Sequence, residues 1–195
     1  MSADEAKSDK VTRVVTRHGD DGYSQVGEGR LPKSAPRLEA FGTVDEANST
    51  IGTLRATLED DDQVDGWLRS IQMDLFDIGA DLSMPGDIGT LRRFKPEPCA
   101  RLDGQLDELN RQQPPLTNFI LPTGKGMAGA YAHLARTVIR RAERRVMALA
   151  LLDGEDVNPE IQRYLNRLSD FMFVLARHLN GNGAGDEVWA PQAQR

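Results

Sequence analysis

The chain has 195 residues and a formal net charge of −6, with 39% hydrophobic and 28% charged residues, as expected for a globular domain with its own core. The acidic balance argues against nucleic-acid binding, which needs a broad basic footprint. No apolar run approaches the roughly 20 residues of a membrane span. Segment 1–11 is polar and unlike a secretory signal, so we expect a disordered lead-in and a cytoplasmic protein. The lone Cys99 cannot form an internal disulfide.

The first third of the chain combines a glycine-rich stretch with two helical patterns. Residues 11–37 contain four glycines and two prolines, which break any helical period and predict a loop. Thr43 followed by Glu46 fits a capping box, which predicts that the first helix begins there and runs to about Leu58. Apolar residues at helical spacing predict a second helix over 64–82.

Three more helices are predicted in the rest of the chain. Prolines and glycines over 84–98 indicate a long connection, and a third helix follows it and ends before Pro114. A fourth helix is predicted over about 127–152. Asn158, followed by a proline, is typical of a helix cap and predicts a fifth helix that runs to about Leu179.

Five helices with few strand signals predict an all-α five-helix bundle with a glycine-rich N-terminal loop. We expect a single domain over residues 12–191 and a tail over 192–195. A di-iron bundle needs a glutamate three residues before a histidine on facing helices. None of His18, His133 and His178 has one, which excludes that class, and no arrangement typical of a protein nucleophile stands out.

The fourth helix carries five arginines between residues 136 and 145. Guanidinium groups match phosphate oxygens in bidentate fashion and stay charged, which favours a polyphosphate site. The alternative is a solvated basic face with ion pairs between successive turns. Arg145 points away from the others and is expected to face solvent. At about 100° per residue, one face, called the arginine stripe below, holds Arg136, Arg140, Glu143 and Arg144.

The glycine-rich stretch 16–25 is a second candidate site. Its glycines let backbone N–H groups approach an anion. Thr16 and Ser24 add hydroxyl groups, while Arg17 and Lys33 add positive charge. The spacing of a P-loop is absent, so a plain turn is the alternative.

Three further residues each have a functional and a structural interpretation. Asp45 either complements a helix dipole or pairs with an arginine of the stripe, across a subunit boundary. Asn166 either hydrogen-bonds a ligand or makes a polar contact between helices. Phe119, in a segment with proline and glycine, either packs in a loop or wedges beside a flat cofactor.

Several runs of residues occur in the order typical of one enzyme family. Together they resemble the PduO-type ATP:cob(I)alamin adenosyltransferases over residues 12–191. His18 stands where that family usually has threonine, and Tyr23 and Gln25 replace small hydroxyl residues, so we expect a reshaped loop. The matching runs are 16–22, 30–33, 40–46, 119–122, 135–137, 140–144 and 164–170.

The resemblance implies a homotrimer that binds ATP with Mg²⁺ between subunits and transfers the 5′-deoxyadenosyl group to the cobalt of cob(I)alamin. The products are adenosylcobalamin and triphosphate, and no protein side chain is implied as a metal ligand. The N-terminal loop and the helices of the neighbouring subunit would share the ATP contacts. The loop would supply Thr16, Arg17, His18, Gly19, Ser24, Gln25 and Lys33, and the helices Arg140, Arg141, Glu143, Arg144 and Asn166.

The resemblance also implies roles in the reaction. Asp45 and Arg136 would form an intersubunit ion pair, Arg140 would act on the triphosphate, and Phe119 would displace the lower axial ligand of the corrin. Because cob(I)alamin is itself a strong nucleophile, the protein only aligns C5′ and stabilises the leaving group. A reductase or a cobalamin-dependent acceptor enzyme is the expected partner. The alternatives are a regulator or carrier that binds ATP or cobalamin without turnover, and a structural bundle whose basic helix meets an acidic partner.

Overall fold

The computed structural model describes residues 15, 17–58, 62–84 and 94–192. The lead-in 1–11, the candidate Thr16 and the end of the tail, 193–195, lie outside these residues. Over the described part the chain forms an all-α bundle with one small hairpin, and none of its helices is long and apolar enough to cross a membrane. The elements are β1 (Tyr23–Val26), β2 (Gly29–Pro32), α1 (Pro36–Arg55), α2 (Asp62–Leu82), α3 (Glu97–Asn110), α4 (Met127–Ala150) and α5 (Pro159–Leu179).

Packing of α4 against both α1 and α5 forms the centre of the bundle, with α2 against α1 and α3 against α5. The apolar face predicted for α4 is confirmed, because each of its residues is at most 5% exposed. Burying this face leaves the opposite, arginine-bearing side of α4 at the surface. The buried residues of that face are Ala135, Val138, Ala142, Val146 and Leu149.

The first helix begins seven residues before the predicted capping box. Pro36 occupies the first turn of α1 after the extended residue Ala35, and a proline's fixed φ suits that position. Thr43 therefore lies within the helix, where its hydroxyl donates to the carbonyl oxygens of Glu39 at 3.1 Å and Ala40 at 2.9 Å. The predicted start at Thr43 is wrong because a threonine hydroxyl also bonds to the preceding turn of a helix.

Residues 11–37 were expected to form a loop only, yet they include an antiparallel hairpin of β1 and β2. Gly27, with φ of +54°, takes the first position of its two-residue turn, where glycine avoids backbone strain. Val26 is only 4% exposed and anchors the hairpin. The amide of Lys33 donates to the carbonyl of Gly22 at 2.9 Å, which closes the loop over 17–33 into a defined shape.

The fifth helix begins where the sequence predicts. The Asn158 side chain accepts a hydrogen bond from the amide of Glu160 at 3.1 Å, as an N-cap residue does. Its amide group also donates to Asp81 Oδ2 at 2.9 Å and to the carbonyl of Phe94 at 3.1 Å. This buried side chain therefore fixes the start of α5 against the end of α2.

Candidate functional site

The arginine stripe lies on the exposed side of α4. Arg140 and Arg144 line a shallow cavity of about 430 Å³ together with Glu143 and Asn166. In the described part of the chain, neither arginine forms an ion pair. Two guanidinium groups are thus available to an external anion.

Glu143 and Asn166 connect α4 to α5 at this cavity. The Asn166 side chain donates to Glu143 Oε1 at 2.9 Å, so the interhelical contact expected of Asn166 exists and places it beside the arginines. Arg144 Nη1 also donates to the carbonyl of Arg140 at 3.0 Å. These bonds restrict the side chains that surround the cavity, which favours a preorganised anion site.

The other two arginines of this segment pair with carboxylates of α1. Arg141 contacts Glu46, and Arg145 Nε lies 3.2 Å from Glu39 Oε1. Arg145 is exposed, as expected, and α1 also brings a carboxylate to it. Arg141, expected at the phosphates, is already partly neutralised within its own chain.

Arg136 is half-buried between two cavities, one that it shares with Arg140 and one that it shares with Phe119. Its Nε is buried without a hydrogen-bond partner among the described residues. Burial, together with the charge of Arg140, lowers the pKa of Arg136. A carboxylate at this position would remove the energetic cost of the unpaired group.

The second of these cavities has a volume of about 730 Å³ and includes Phe119, His133, Arg136 and Phe173 in its wall. Phe119 is 77% exposed and meets Trp189 edge to face, with ring centroids 6.4 Å apart. An exposed aromatic side chain at the mouth of a large cavity is suited to contact a flat ligand.

His133 is the buried polar residue of this cavity. It is 2% exposed, and neither ring nitrogen has a partner within the described structure. Burial, and secondly the charge of Arg136, lowers the pKa of His133. The imidazole is therefore neutral at physiological pH.

The N-terminal loop forms a separate open cavity of about 810 Å³, lined by Arg17, His18, Gly19, Ser24 and Gln25, among others. Lys33 lies against this loop: a Cβ built on Gly19 would be only 2.9 Å from Lys33 Nζ. Five candidate residues and a lysine ammonium group therefore share one surface.

Arg30 organises this loop and was not among the predicted site residues, although its position falls within the matching run 30–33. Its Nη2 donates to the carbonyl of His18 and to Asp21 Oδ1, each at 2.7 Å, and its guanidinium lies 5.6 Å from the Tyr23 ring centroid. The hydrogen bond from Arg30 lowers the pKa of Asp21. Arg30 is exposed and links β2 to the turn over 18–21.

One chain does not bring all the predicted site residues together. The loop candidates and the arginine stripe line different cavities. Asp45 lines a third cavity, beside the exposed rings of Phe41 and Phe76, and in the described structure it does not pair with Arg136. The sequence pattern predicts no role for His133, because one histidine on an apolar helix face carries no ligand signal by itself.

Metal-binding side chains are not clustered in the described residues: no group of three or more His, Cys, Asp or Glu residues could hold an ion there. Mg²⁺ keeps several waters and binds through one or two carboxylates together with substrate phosphates. Glu143, beside the unpaired arginines, fits such a sparse protein contribution.

Comparisons with known proteins identify one family. The family model for cobalamin adenosyltransferase matches residues 14–179. A cobalamin adenosyltransferase of Cupriavidus metallidurans is 43% identical over 180 residues, which cover 92% of this chain and 94% of that protein. A corrinoid adenosyltransferase of Mycobacterium tuberculosis is 42% identical over 191 residues, which cover 95% and 96%.

Solved structures give the same result. A variant of the PduO-type ATP:corrinoid adenosyltransferase of Lactobacillus reuteri, complexed with cobalamin and ATP, superposes with a TM-score of 0.84 and 34% identity. The match covers 92% of this chain and 100% of that one. Because the family model and these relatives match most of its length, the chain belongs to the cobalamin adenosyltransferase family.

Proposed function

We infer that this protein transfers the 5′-deoxyadenosyl group of ATP to the cobalt of cob(I)alamin. The cobalt supplies the electron pair for the new Co–C5′ bond, and the C5′–O bond breaks, with its electrons leaving on triphosphate. The observation that carries this inference is the pair Arg140 and Arg144, which face a cavity without carboxylate partners in the described chain.

We propose that the arginine stripe stabilises the charge that grows on the leaving triphosphate. Charge-assisted hydrogen bonds from guanidinium groups are stronger than neutral ones, and fixed donors need no reorganisation during the reaction. Asn166 holds the Glu143 carboxylate in place at 2.9 Å, so that carboxylate can orient the arginines or contact a Mg²⁺ ion carried by ATP. Such an ion would neutralise part of the phosphate charge.

We propose that ATP binds between two copies of the chain in a homotrimer. Arg17–Gln25 and Lys33 form one phosphate surface, the stripe forms another, and the two line separate cavities within one chain. Thr16, which lies outside the described residues, is adjacent to the first surface in sequence. A second copy that applies its loop to the stripe would complete the site.

Arg136 supports the same assembly. Its buried Nε has no hydrogen-bond partner among the described residues, and Asp45 is an exposed carboxylate on α1. We propose that Arg136 pairs with Asp45 of a neighbouring copy. Asp45→Arg and Arg136→Asp should each weaken the trimer in sedimentation analysis, and the double exchange should restore it. Failure of the double variant to assemble better than either single variant would count against the pair.

We propose that Phe119 occupies the lower face of the corrinoid and displaces its axial ligand. Its exposure at the mouth of a cavity of about 730 Å³ supports this role. Because cob(I)alamin must arrive reduced, a reductase is one proposed partner. A cobalamin-dependent enzyme that accepts the product is the other, and the cytoplasm is the proposed location.

One assay tests the activity. The purified protein, ATP, Mg²⁺ and chemically reduced cobalamin under anaerobic conditions should yield adenosylcobalamin and triphosphate in equal amounts. The reaction without protein is the control. Tight ATP binding by calorimetry without product would instead favour a regulator or carrier that retains the fold.

A further inference from the structure

Two segments from distant parts of the chain meet beside the Phe119 cavity. The first, residues 114–126, leads from α3 to α4 and carries Phe119; we call it the Phe119 arm. The second, residues 180–190, follows α5 and carries Trp189; we call it the C-terminal arm. The amide of Trp189 donates to the carbonyl of Phe119, and the amide of Leu121 donates to that of Glu187, each at 2.8 Å. The position of Phe119 therefore depends on the C-terminal arm.

Arg177, in the last turn of α5, is bonded to both arms. Its Nε donates to Asp186 Oδ2 at 2.7 Å, and its Nη2 donates to the carbonyl of Pro114 at 2.9 Å. Gly183, with φ of +88°, leaves room for this guanidinium, since a Cβ there would lie 2.8 Å from Arg177 Nη2. One side chain thus fixes the beginning of the Phe119 arm and the middle of the C-terminal arm.

The Arg177–Asp186 pair is buried, with side chains 5% and 6% exposed. Removing one partner of such a pair leaves an uncompensated charge away from water, which is strongly destabilising. Positions of the C-terminal arm that separate Asp186 from Arg177 are disfavoured for the same reason. Asp186 lies outside all five helices. The pair therefore orders the two arms rather than the packing of the bundle.

We propose that Arg177 and Asp186 are positioning residues for adenosyl transfer. They hold the two arms together so that Phe119, braced edge to face by Trp189, keeps its place in the wall of the corrinoid cavity. Neither charged group lines that cavity. Burial lowers the pKa of His133 in its wall, and the charge of Asp186 acts on that imidazole in the opposite direction, so the route through Phe119 is the part that the variants below test. This inference rests on the proposed function, because it assigns the cavity to the corrinoid.

Asp186→Asn tests the proposal, because it keeps the shape of the side chain and removes its charge. We expect kcat/KM for the corrinoid to fall about tenfold, or more, while KM for ATP stays within twofold. The control is Asp65→Asn, in a more exposed ion pair whose side chains are 27% and 42% exposed. Asp65 accepts two hydrogen bonds from Arg55, at 2.7 Å and 2.8 Å, in a pair that joins α1 to α2 away from both arms, so its loss should leave both constants unchanged.

Repeating the substitution in a Phe119→Ala background separates positioning from general damage. If Asp186 acts through Phe119, the loss in corrinoid kcat/KM should shrink to less than twofold in that background. An equal loss in both backgrounds, or parental kinetics for Asp186→Asn, would overturn the proposal. If Asp186→Asn does not fold, Arg177→Lys retains the charge without the forked geometry and enters the same comparison.

Amide hydrogen exchange tests the clamp independently of catalysis. The amides of Leu121 and Trp189 carry the bonds between the arms, so their exchange should accelerate at least tenfold in Asp186→Asn, while amides in the middle of α4 keep the parental rate. Unchanged exchange at both amides would refute the clamp itself. A parent protein that makes no adenosylcobalamin would instead refute the proposed function, whatever the exchange shows.

Discussion

Replacing Arg140 with alanine should lower kcat/KM for ATP by about 10- to 160-fold. A hydrogen bond to a charged group contributes about 1.5–3 kcal/mol, and each 1.36 kcal/mol is about tenfold in rate. The Arg140 guanidinium has no carboxylate partner in the described chain, and the carbonyl that accepts from Arg144 is unaffected by the substitution. The free energy of unfolding should therefore change by less than about 0.5 kcal/mol.

Arg145→Ala is the matched control, because it removes an arginine five residues further along the same helix. Arg145 is 52% exposed and pairs with Glu39, and an exposed ion pair contributes about 0.2–1 kcal/mol to stability. We expect a slightly lower melting temperature and parental kcat/KM. Arg140→Lys should fall between alanine and the parent, since lysine keeps the charge but lacks the bidentate fork.

The assay is anaerobic adenosylcobalamin formation at saturating cob(I)alamin and varied ATP, with melting temperatures measured in parallel. A kcat/KM for Arg140→Ala within threefold of the parent would refute the triphosphate contact and show that the stripe is a solvated basic face. Equal losses for Arg140→Ala and Arg145→Ala would also refute it, because a general field effect would then explain both.

Two further predictions concern stability. Asn158→Ala should lower the free energy of unfolding by about 2–4 kcal/mol, because it removes the cap of α5 and one buried hydrogen bond to Asp81. A urea titration that shows a loss of less than about 1 kcal/mol would contradict this. His133→Asn should weaken the pH dependence of unfolding. The pKa of His133 is lowered in the folded state, so below about pH 6.5 the unfolded chain binds a proton at this residue more readily than the folded chain does. The free energy of unfolding therefore falls by up to about 1.4 kcal/mol by about pH 5.5. Identical pH profiles for parent and variant would refute that assignment.

The fold was predictable where apolar periodicity and caps agree. The buried face of α4 and the cap at Asn158 follow from local spacing alone, and the structure confirms both. The start of α1 was mispredicted because Thr43 and Glu46 fit a cap whether or not a helix already runs through them. The hairpin was missed because its strands are four residues each and only Val26 is buried.

The sequence predicts the arginines of the candidate site but not the carboxylates that pair with some of them. Angular spacing gives the arginine stripe without any tertiary information. The carboxylates that pair with Arg141 and Arg145 come from α1, about one hundred residues earlier in the chain, and no local pattern indicates them. Arg177 shows the same limit, since its contact with Pro114 joins residues 63 positions apart.

The two ion pairs between α1 and α4 help to explain why Asp45 and Arg136 do not meet within one chain. Burial of the apolar face of α1 sets its rotation against α4. In that rotation Glu46 contacts Arg141 and Glu39 contacts Arg145, about two turns apart on α1. Consecutive helix residues differ by about 100° in direction, so Asp45 is turned away from α4 whenever Glu46 is engaged. Asp45 then lines an outer cavity, and the buried Nε of Arg136 has no partner in the part of the chain that the structure describes. The rotation that packs α1 on α4 therefore leaves both groups available to the neighbouring copy that we propose.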